Sequence, residues 1–164
     1  MTKEQFESIT SFVKSHRNAE KILKAVNLIL TLTVYVAYPA LCLWLLFFSR
    51  ERLLRCVLVP GIMFVLISAA RRLINRPRPY EKLGFVPIIT KDKRGQSMPS
   101  RHVFSVFVIA MTFLYINPWL SLPFFLIGIN LCTVRILGEV HYPSDVIVGA
   151  AIGLVSGFVG YFII

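Results

Sequence analysis

Apolar stretches with few or no charges alternate with short polar segments along the chain, and their lengths predict the architecture. About 20 apolar residues in a helix span a bilayer, and the chain has five apolar stretches of roughly that size. They are residues 25–49, 53–70, 103–116, 119–136 and 146–164. Asn117-Pro118 separates the third stretch from the fourth, because this dipeptide favours a turn. The pattern predicts five membrane-spanning helices.

The amino terminus has a different pattern. Phe6, Ile9 and Phe12 recur at helical spacing with charged residues between them, which predicts an amphipathic helix. Such a helix lies on a membrane surface or packs against the protein, although a solvated helical tail shows the same spacing. We predict an all-α fold: a polytopic membrane helix bundle of about five transmembrane helices, with an amphipathic helix over residues 1–20 and a membrane-embedded domain over residues 21–164.

The order of the spans places the two longest polar loops on one side of the membrane. These loops are residues 71–101 and 135–145. The opposite side has only the short segment 49–55 and the uncharged turn 117–119. All the residues suited to polar chemistry are therefore expected at a single membrane face.

The net charge of the chain indicates which class of molecule it binds. The 164-residue chain is 56% hydrophobic and carries a formal net charge of +10, from 18 Lys+Arg against 8 Asp+Glu. In a soluble protein this balance would suggest nucleic acid, but the apolar runs exclude that class. A membrane protein that binds anionic lipid headgroups or phosphates fits both features. The three cysteines, Cys42, Cys56 and Cys132, lie within apolar runs and form no Cys/His cluster. They are therefore expected to pack as small apolar residues and not to form a zinc site or disulfides.

The first polar loop opens with a cluster of basic side chains. Its four arginines are Arg71, Arg72, Arg76 and Arg78. One or two would suffice to anchor a helix end at the membrane interface. Four of them, stiffened by prolines, suit phosphate oxygens, because the planar guanidinium donates two parallel hydrogen bonds.

The same loop ends in the stretch SMPSRHVF, residues 97–104. Ser100 is the expected N-cap of the helix that follows, and a capped helix start binds anions through its free N–H groups. His102 lies on the first turn of that helix. A histidine at a helix start is more often an ordinary surface residue, but the arginines expected on the same face favour a catalytic role.

The second polar loop, RILGEVHYPSD, supplies Arg135, His141 and Asp145. The Asp145 carboxylate is placed to accept a hydrogen bond from one nitrogen of His141, which leaves the other nitrogen free as a nucleophile. Asp145 also complements the dipole of the last helix. No cluster of carboxylates suits Mg²⁺ or Ca²⁺ and no set of ligands suits zinc, so no metal and no cofactor are expected. The residues suit metal-free phosphoryl transfer.

The three segments together resemble a known family. The order and spacing are similar to the three-part motif of the type-2 phosphatidic acid phosphatase superfamily, K-x6-R-P, then P-S-G-H, then S-R-x5-H-x3-D. The matching segments here are Arg71-x6-Arg78-Pro79, Pro99-Ser100-Arg101-His102 and Val134-Arg135-x5-His141-x3-Asp145. The resemblance covers residues 53–164, and three spaced motifs in order are far more specific than one.

The resemblance implies a role for each matched residue. The implied phosphate-binding residues are Arg71, Arg78, Ser100, Arg101 and Arg135. His141 is implied as the nucleophile that becomes a phosphohistidine, Asp145 as its orienting partner, and His102 as the general acid that protonates the leaving group. Water then cleaves the intermediate.

Three positions depart from the family pattern. Arg71 replaces a lysine and keeps the charge, whereas Val134 replaces a serine and loses a hydroxyl. Arg101 replaces the glycine of P-S-G-H, so it adds a side chain where phosphate approaches; this side chain either contacts the phosphate or holds a headgroup. None of these changes removes a catalytic atom, so we expect an active enzyme.

The resemblance implies a lipid phosphate as substrate, bound among membrane lipids. Undecaprenyl pyrophosphate is favoured, with phosphatidylglycerol phosphate and phosphatidic acid as alternatives. A lipid phosphotransferase, a catalytically silent lipid-binding protein and a vanadate-dependent oxidase are the competing classes. The charge rule places arginine-rich loops in the cytosol, but the family has its site on the extracytoplasmic face of the cell membrane, and we expect that side here. The sequence does not indicate an oligomeric state.

Overall fold

The protein is a bundle of helices. The structure is a computed structural model that describes residues 2–90 and 94–164. Its helices are α1 (Lys3–Ser15), α2 (Arg17–Phe48), α3 (Arg50–Ile74), α4 (Pro79–Leu83), α5 (Arg101–Ile116), α6 (Pro118–Leu137) and α7 (Pro143–Phe158), with a π-helical turn, Val159–Ile163, after α7. The predicted all-α membrane bundle is confirmed. Residues 91–93 of the predicted polar loop lie outside the described residues.

Four helices, α2, α3, α6 and α7 with its π-helical turn, are long and apolar enough to cross a membrane. The fifth, α5, has 16 residues and is therefore roughly 24 Å long. It is packed between α6 and α7, and nearly all its residues from Val103 to Phe113 are buried. The predicted fifth span is thus a short helix in the centre of the bundle, shielded by the longer helices.

The helix ends differ from the apolar runs that predict them. The first spanning helix begins at Arg17, eight residues before the uncharged run at residue 25. The extra turns carry the exposed residues Lys21 and Lys24, and lysine side chains are long enough to hold their charge in a membrane interface. The amphipathic helix α1 ends at Ser15, and the chain turns at His16, which has extended backbone angles.

Helix α1 packs against the protein. The Phe6 side chain is completely buried, with its ring centroid 5.8 Å from that of Tyr142 and 6.1 Å from that of Phe85. On the same face of α1, Lys14 Nζ lies 2.7 Å from Oε1 of Glu139. The segment that carries Glu139 and Tyr142 also carries His141, so α1 covers the outside of the second polar loop.

Close contact between α5 and α7 depends on glycines. A Cβ added at Gly149 would lie 2.6 Å from the carbonyl oxygen of Ser100, and one at Gly153 would lie 2.7 Å from that of Phe104. Side chains at these positions would force the two helices apart. The close approach lets the backbone N–H of Ser100 donate to the carbonyl of Asp145 at 2.8 Å. The starts of α5 and α7 are thereby fixed to each other.

Candidate active site

The two polar loops meet at one end of the bundle, as the alternation of spans predicts. The backbone N–H of Ser97 donates to the carbonyl of Arg76 at 2.9 Å, and that of Ile89 donates to the carbonyl of Gly138 at 3.2 Å. These bonds join the segment after α3 to the start of α5 and to the segment between α6 and α7. The three sequence motifs therefore lie at a single site.

His141 and Asp145 lie side by side in its interior. Nδ1 of His141 is 3.6 Å from Oδ2 of Asp145, which is close but longer than a hydrogen bond. The Ser97 hydroxyl lies beside both groups, donating to Oδ2 of Asp145 at 2.5 Å and lying 3.4 Å from Nδ1 of His141. The Nδ1 side of the imidazole therefore faces Asp145 and Ser97, which leaves Nε2 for other partners.

The environment keeps the His141 imidazole neutral. Its side chain is almost completely buried. Burial lowers the pKa of His141 to about 4, a change that Asp145 opposes and that the positive charges of Arg78 and Arg135 reinforce. A histidine with this pKa is unprotonated at neutral pH and has a lone pair available for nucleophilic attack.

The Asp145 carboxylate has a full set of partners. Its Oδ1 lies 2.6 Å from Nη1 of Arg76. Its Oδ2 accepts hydrogen bonds from Ser97 and, at 3.0 Å, from the backbone N–H of Tyr142. Arg76 also lies over the Tyr142 ring, 4.3 Å from its centroid. These contacts fix the orientation of a carboxylate that is completely buried.

Arg71 and Arg78 connect the loops. The guanidinium of Arg71 donates to the carbonyls of Gln96 and Pro99. That of Arg78 donates from Nε to the carbonyl of Gly95 at 3.1 Å and from Nη1 to that of Val140 at 3.3 Å. A guanidinium has five N–H groups, so each arginine shapes the site and keeps donors for a ligand.

Arg135 and Ser100 carry buried polar atoms that have no hydrogen-bond partner among the described residues. The Arg135 side chain is 1% exposed, and neither its Nε nor its Nη1 makes a hydrogen bond within the described chain. The same is true of the Ser100 hydroxyl. Ser100 occupies the predicted N-cap position of α5, but its side chain makes no capping hydrogen bond. Unpaired buried donors are costly, and an anion bound between them would remove that cost.

His102 and Arg101 lie on the first turn of α5. Both are partly buried, and both line a cavity of about 130 Å³ between α2, α3, α5 and α6. The Arg101 side chain turns towards α3, where its Cζ lies 5.2 Å from the centroid of the Phe64 ring. Arg101 stands where the family motif has glycine, and its guanidinium therefore lies on the side of the site that faces the apolar part of α3.

Two residues of the site are absent from the sequence-based set. Arg76 belongs to the arginine run, but nothing in the run marks it as the partner of Asp145. Ser97 lies three residues before Ser100, and an isolated loop serine carries no signal of its own. Only the fold brings both to the Asp145 carboxylate.

Metal-ligating side chains are dispersed. Within residues 2–90 and 94–164, no three His, Cys, Asp or Glu side chains are grouped so as to hold a metal ion. The carboxylate of Asp145, beside His141, accepts hydrogen bonds from Arg76, Ser97 and the backbone.

Comparison with known proteins shows which family this chain belongs to and which solved structures share its fold. Residues 52–164 match the sequence model of the PAP2 superfamily. The chain is similar to the crystal structure of LpxE from Aquifex aeolicus, with a TM-score of 0.75 and 26% identity over 96% of this chain and 92% of that one. It shares its fold with a transmembrane PAP2 type phosphatidylglycerolphosphate phosphatase from Bacillus subtilis, with a TM-score of 0.61 and 20% identity over 96% of this chain and 83% of that one. No curated protein sequence matches it.

Proposed function

The chain belongs to the PAP2 superfamily, and from this premise we propose that it hydrolyses a lipid phosphate or pyrophosphate through a phosphohistidine at His141, without a metal. The observation that carries the proposal is the state of His141. Its imidazole is buried, neutral and turned with Nδ1 towards Asp145. The chain's similarity to other membrane PAP2 proteins supports the lipid phosphatase class.

In the first step, Nε2 of His141 attacks the terminal phosphorus. The N–P bond forms as the P–O bond to the leaving group breaks, and Asp145 stabilises the positive charge that develops on the imidazole. Arg76 and Ser97 keep the carboxylate in place. The transferred phosphoryl group then resides on His141.

His102 is proposed to donate its proton to the leaving oxygen in that step. In the second step a water attacks the phosphohistidine and gives its proton to His102, so that inorganic phosphate leaves and His141 regains its lone pair. The position of His102 on the first turn of α5, lining the cavity beside the site, supports this role.

The unpartnered donors of Arg135 and Ser100 are proposed to bind the phosphoryl oxygens, together with the first N–H groups of α5 and the remaining donors of Arg71 and Arg78. Their charges offset the negative charge of the transition state, which spreads over the three equatorial oxygens. The Arg101 backbone N–H belongs to this set as well.

Undecaprenyl pyrophosphate is the proposed substrate. The experiment measures phosphate release by the purified protein in detergent with EDTA, comparing undecaprenyl pyrophosphate, phosphatidylglycerol phosphate and phosphatidic acid, with His141→Ala as control. We expect hydrolysis that EDTA leaves unchanged and that the variant lacks. Preference for another lipid would replace the substrate assignment, and inhibition by EDTA reversed by Mg²⁺ would contradict the metal-free mechanism. Release from no lipid would favour a transferase or a silent binding protein.

The site is proposed to face the extracytoplasmic side of the cell membrane. Lys82 on α4 and Arg52 near the start of α3 are both exposed and lie at opposite ends of the bundle. In a cysteine-free background, Lys82→Cys in intact cells should react with a membrane-impermeant maleimide, and Arg52→Cys should not. The reverse pattern would place the site in the cytosol.

A further inference from the structure

A groove runs from His102 into the membrane region of the bundle. The 130 Å³ cavity beside His102 shares four lining residues with a second cavity of about 300 Å³. The shared residues are Val34, Tyr35, Phe64 and Ser105. Together the two cavities form one groove with α2 and α3 as its walls and α5 as its floor.

The groove is apolar and open at the side. Along α5 it extends from Arg101 to Ile109, which is about 12 Å at the rise of an α-helix. On its walls, Tyr35 is 60% exposed and Phe64 is 42% exposed, so it opens where the surface of the bundle faces lipid. Its depth and lining suit a hydrocarbon chain that enters from the bilayer.

Arg101 occupies the mouth of this groove. Phe64, over which its guanidinium lies, precedes Arg71 by seven residues on α3, or about 10 Å along the helix axis. The Arg101 guanidinium therefore lies beside a turn of α3 that is about 10 Å further into the apolar part of this helix than Arg71. Among the ion pairs of residues 2–90 and 94–164, none includes Arg101. A cation at this depth without a carboxylate partner is costly and marks a site for an anion.

Arg101 is also close to the arginines of the site. Burial lowers the pKa of Arg78, and the charge of Arg101 lowers it further, against the opposing effects of Tyr80, Glu81 and Asp145. The positive potential therefore extends from the proposed phosphoryl site to the mouth of the groove. A ligand that carries negative charge at both places would neutralise it best.

We propose that Arg101 binds a second phosphate of the substrate, the one that joins the transferred phosphoryl group to the lipid chain. This inference rests on the proposed function, because it takes the terminal phosphate to be bound beside His141. A lipid chain in the groove then brings the next phosphate along the molecule past the Arg101 guanidinium. Arg101 makes the enzyme selective for a lipid diphosphate over the matching monophosphate.

For a pyrophosphate this contact acts on the chemical step. When the terminal P–O bond breaks, negative charge develops on the oxygen of the departing lipid monophosphate, and Arg101 lies on that side of the bond. Its guanidinium stabilises the leaving group in the transition state, so its loss lowers kcat. In phosphatidylglycerol phosphate, glycerol separates the second phosphate from the reacting bond. Loss of the Arg101 side chain therefore weakens binding of this substrate and raises its KM.

The test compares two substrates that differ by one phosphate, farnesyl pyrophosphate and farnesyl monophosphate. We expect Arg101→Gln to lower kcat/KM for the pyrophosphate about 10- to 100-fold, with less than about a threefold change for the monophosphate. Arg101→Lys should keep part of the preference. Arg52→Gln, an exposed arginine at the opposite end of the bundle, is the matched control. Phosphatidylglycerol phosphate and phosphatidic acid form a second pair, which separates diacyl from prenyl lipids.

Equal effects of Arg101→Gln on both members of each pair, or no effect on either, would overturn the inference while leaving the phosphatase function intact. A wild-type enzyme that prefers both monophosphates would overturn it too. If wild-type protein hydrolyses none of the four lipids, the proposed function itself fails. Thermal melting of each variant in detergent shows whether a loss of activity comes from unfolding. If Arg101→Gln does not fold, Arg101→Lys, which keeps the charge, takes its place in the comparison of the two substrates. Loss of the diphosphate preference in folded Arg101→Lys would contradict the inference.

Discussion

The hydroxyl of Ser97 donates a hydrogen bond to the carboxylate of Asp145 at 2.5 Å. Both side chains are completely buried, and the hydroxyl lies 3.4 Å from Nδ1 of His141. Ser97 therefore holds the carboxylate next to the imidazole, away from solvent. A residue outside the three family motifs thus contacts both the proposed nucleophile and its carboxylate partner.

Ser97→Ala should lower kcat by about 10- to 100-fold, because a misplaced carboxylate no longer orients His141. KM should change little, since Ser97 is not proposed to touch substrate. Steady-state kinetics on a hydrolysed lipid phosphate measures both constants. Ser156→Ala serves as control, because it removes a partly buried hydroxyl that donates to the backbone carbonyl of Gly153. A rise in KM with unchanged kcat would contradict the positioning role.

His141 should remain neutral far below the usual pH of histidine titration. Its pKa in the folded protein is lowered from 6.5 to about 4, so the unprotonated form persists as the pH falls from 7 to 5. NMR of protein labelled with ¹⁵N at its three histidines follows this titration, and the spectrum of His141→Gln assigns the signal. Titration of His141 near pH 6.5 would show that the imidazole is not desolvated as described.

Gly149→Ala should damage both stability and activity. The added Cβ would lie 2.6 Å from the Ser100 carbonyl oxygen, so the starts of α5 and α7 must separate, at a cost of about 1–3 kcal/mol. Gly61→Ala on α3 is the matched control for stability, because nothing lies within 4 Å of a Cβ added there. Thermal melting in detergent and phosphate release measure the two effects. Equal behaviour of the two variants would mean that α5 and α7 are not in close contact.

Lys14→Met should destabilise the protein through Glu139. The Glu139 side chain is completely buried and lies 2.7 Å from Lys14, so removal of the lysine leaves a buried carboxylate with Thr10 as its remaining side-chain partner. We expect a loss of about 2 kcal/mol in unfolding free energy. Lys3→Met breaks an exposed pair with Glu7 at 3.9 Å and should cost less than about 1 kcal/mol.

The melting temperature of each lysine variant measures this difference. Addition of Glu139→Gln to Lys14→Met should recover part of the loss, because it removes the uncompensated charge. If Lys14→Met melts like the wild type, α1 does not hold the second polar loop in the manner that the structure shows.

Local pattern was enough to predict the long helices, whereas the five-residue helix α4 was not predicted. The uncharged runs gave the apolar helices, and Asn117-Pro118 marked the break between α5 and α6. The central position of α5 was not predictable, because its sequence is no more apolar than those of α6 and α7. Only tertiary packing decides which of these helices is enclosed. The start of α2 at Arg17 was also missed, since the charged residues of its first turns have no apolar periodicity.

In the site, the sequence predicted contacts between residues that are close in the chain and missed contacts between distant ones. Asp145 follows His141 by four residues, and the structure places the two side chains next to each other. The contacts of Ser97 with Asp145 and of α1 with Glu139 join residues separated by 48 and 129 positions. No local pattern encodes such contacts, because they depend on how the loops fold over one another.

The most decisive measurement is to trap the phosphoenzyme. Farnesyl pyrophosphate with ³²P in its terminal phosphate is mixed with the protein in detergent and quenched with alkali within milliseconds. We expect ³²P bound to the protein through an alkali-stable, acid-labile bond, located on the peptide that contains His141 and absent from His141→Ala. Substrate turnover with no labelled protein at any time, or label that persists in His141→Ala, would contradict a phosphohistidine at this residue.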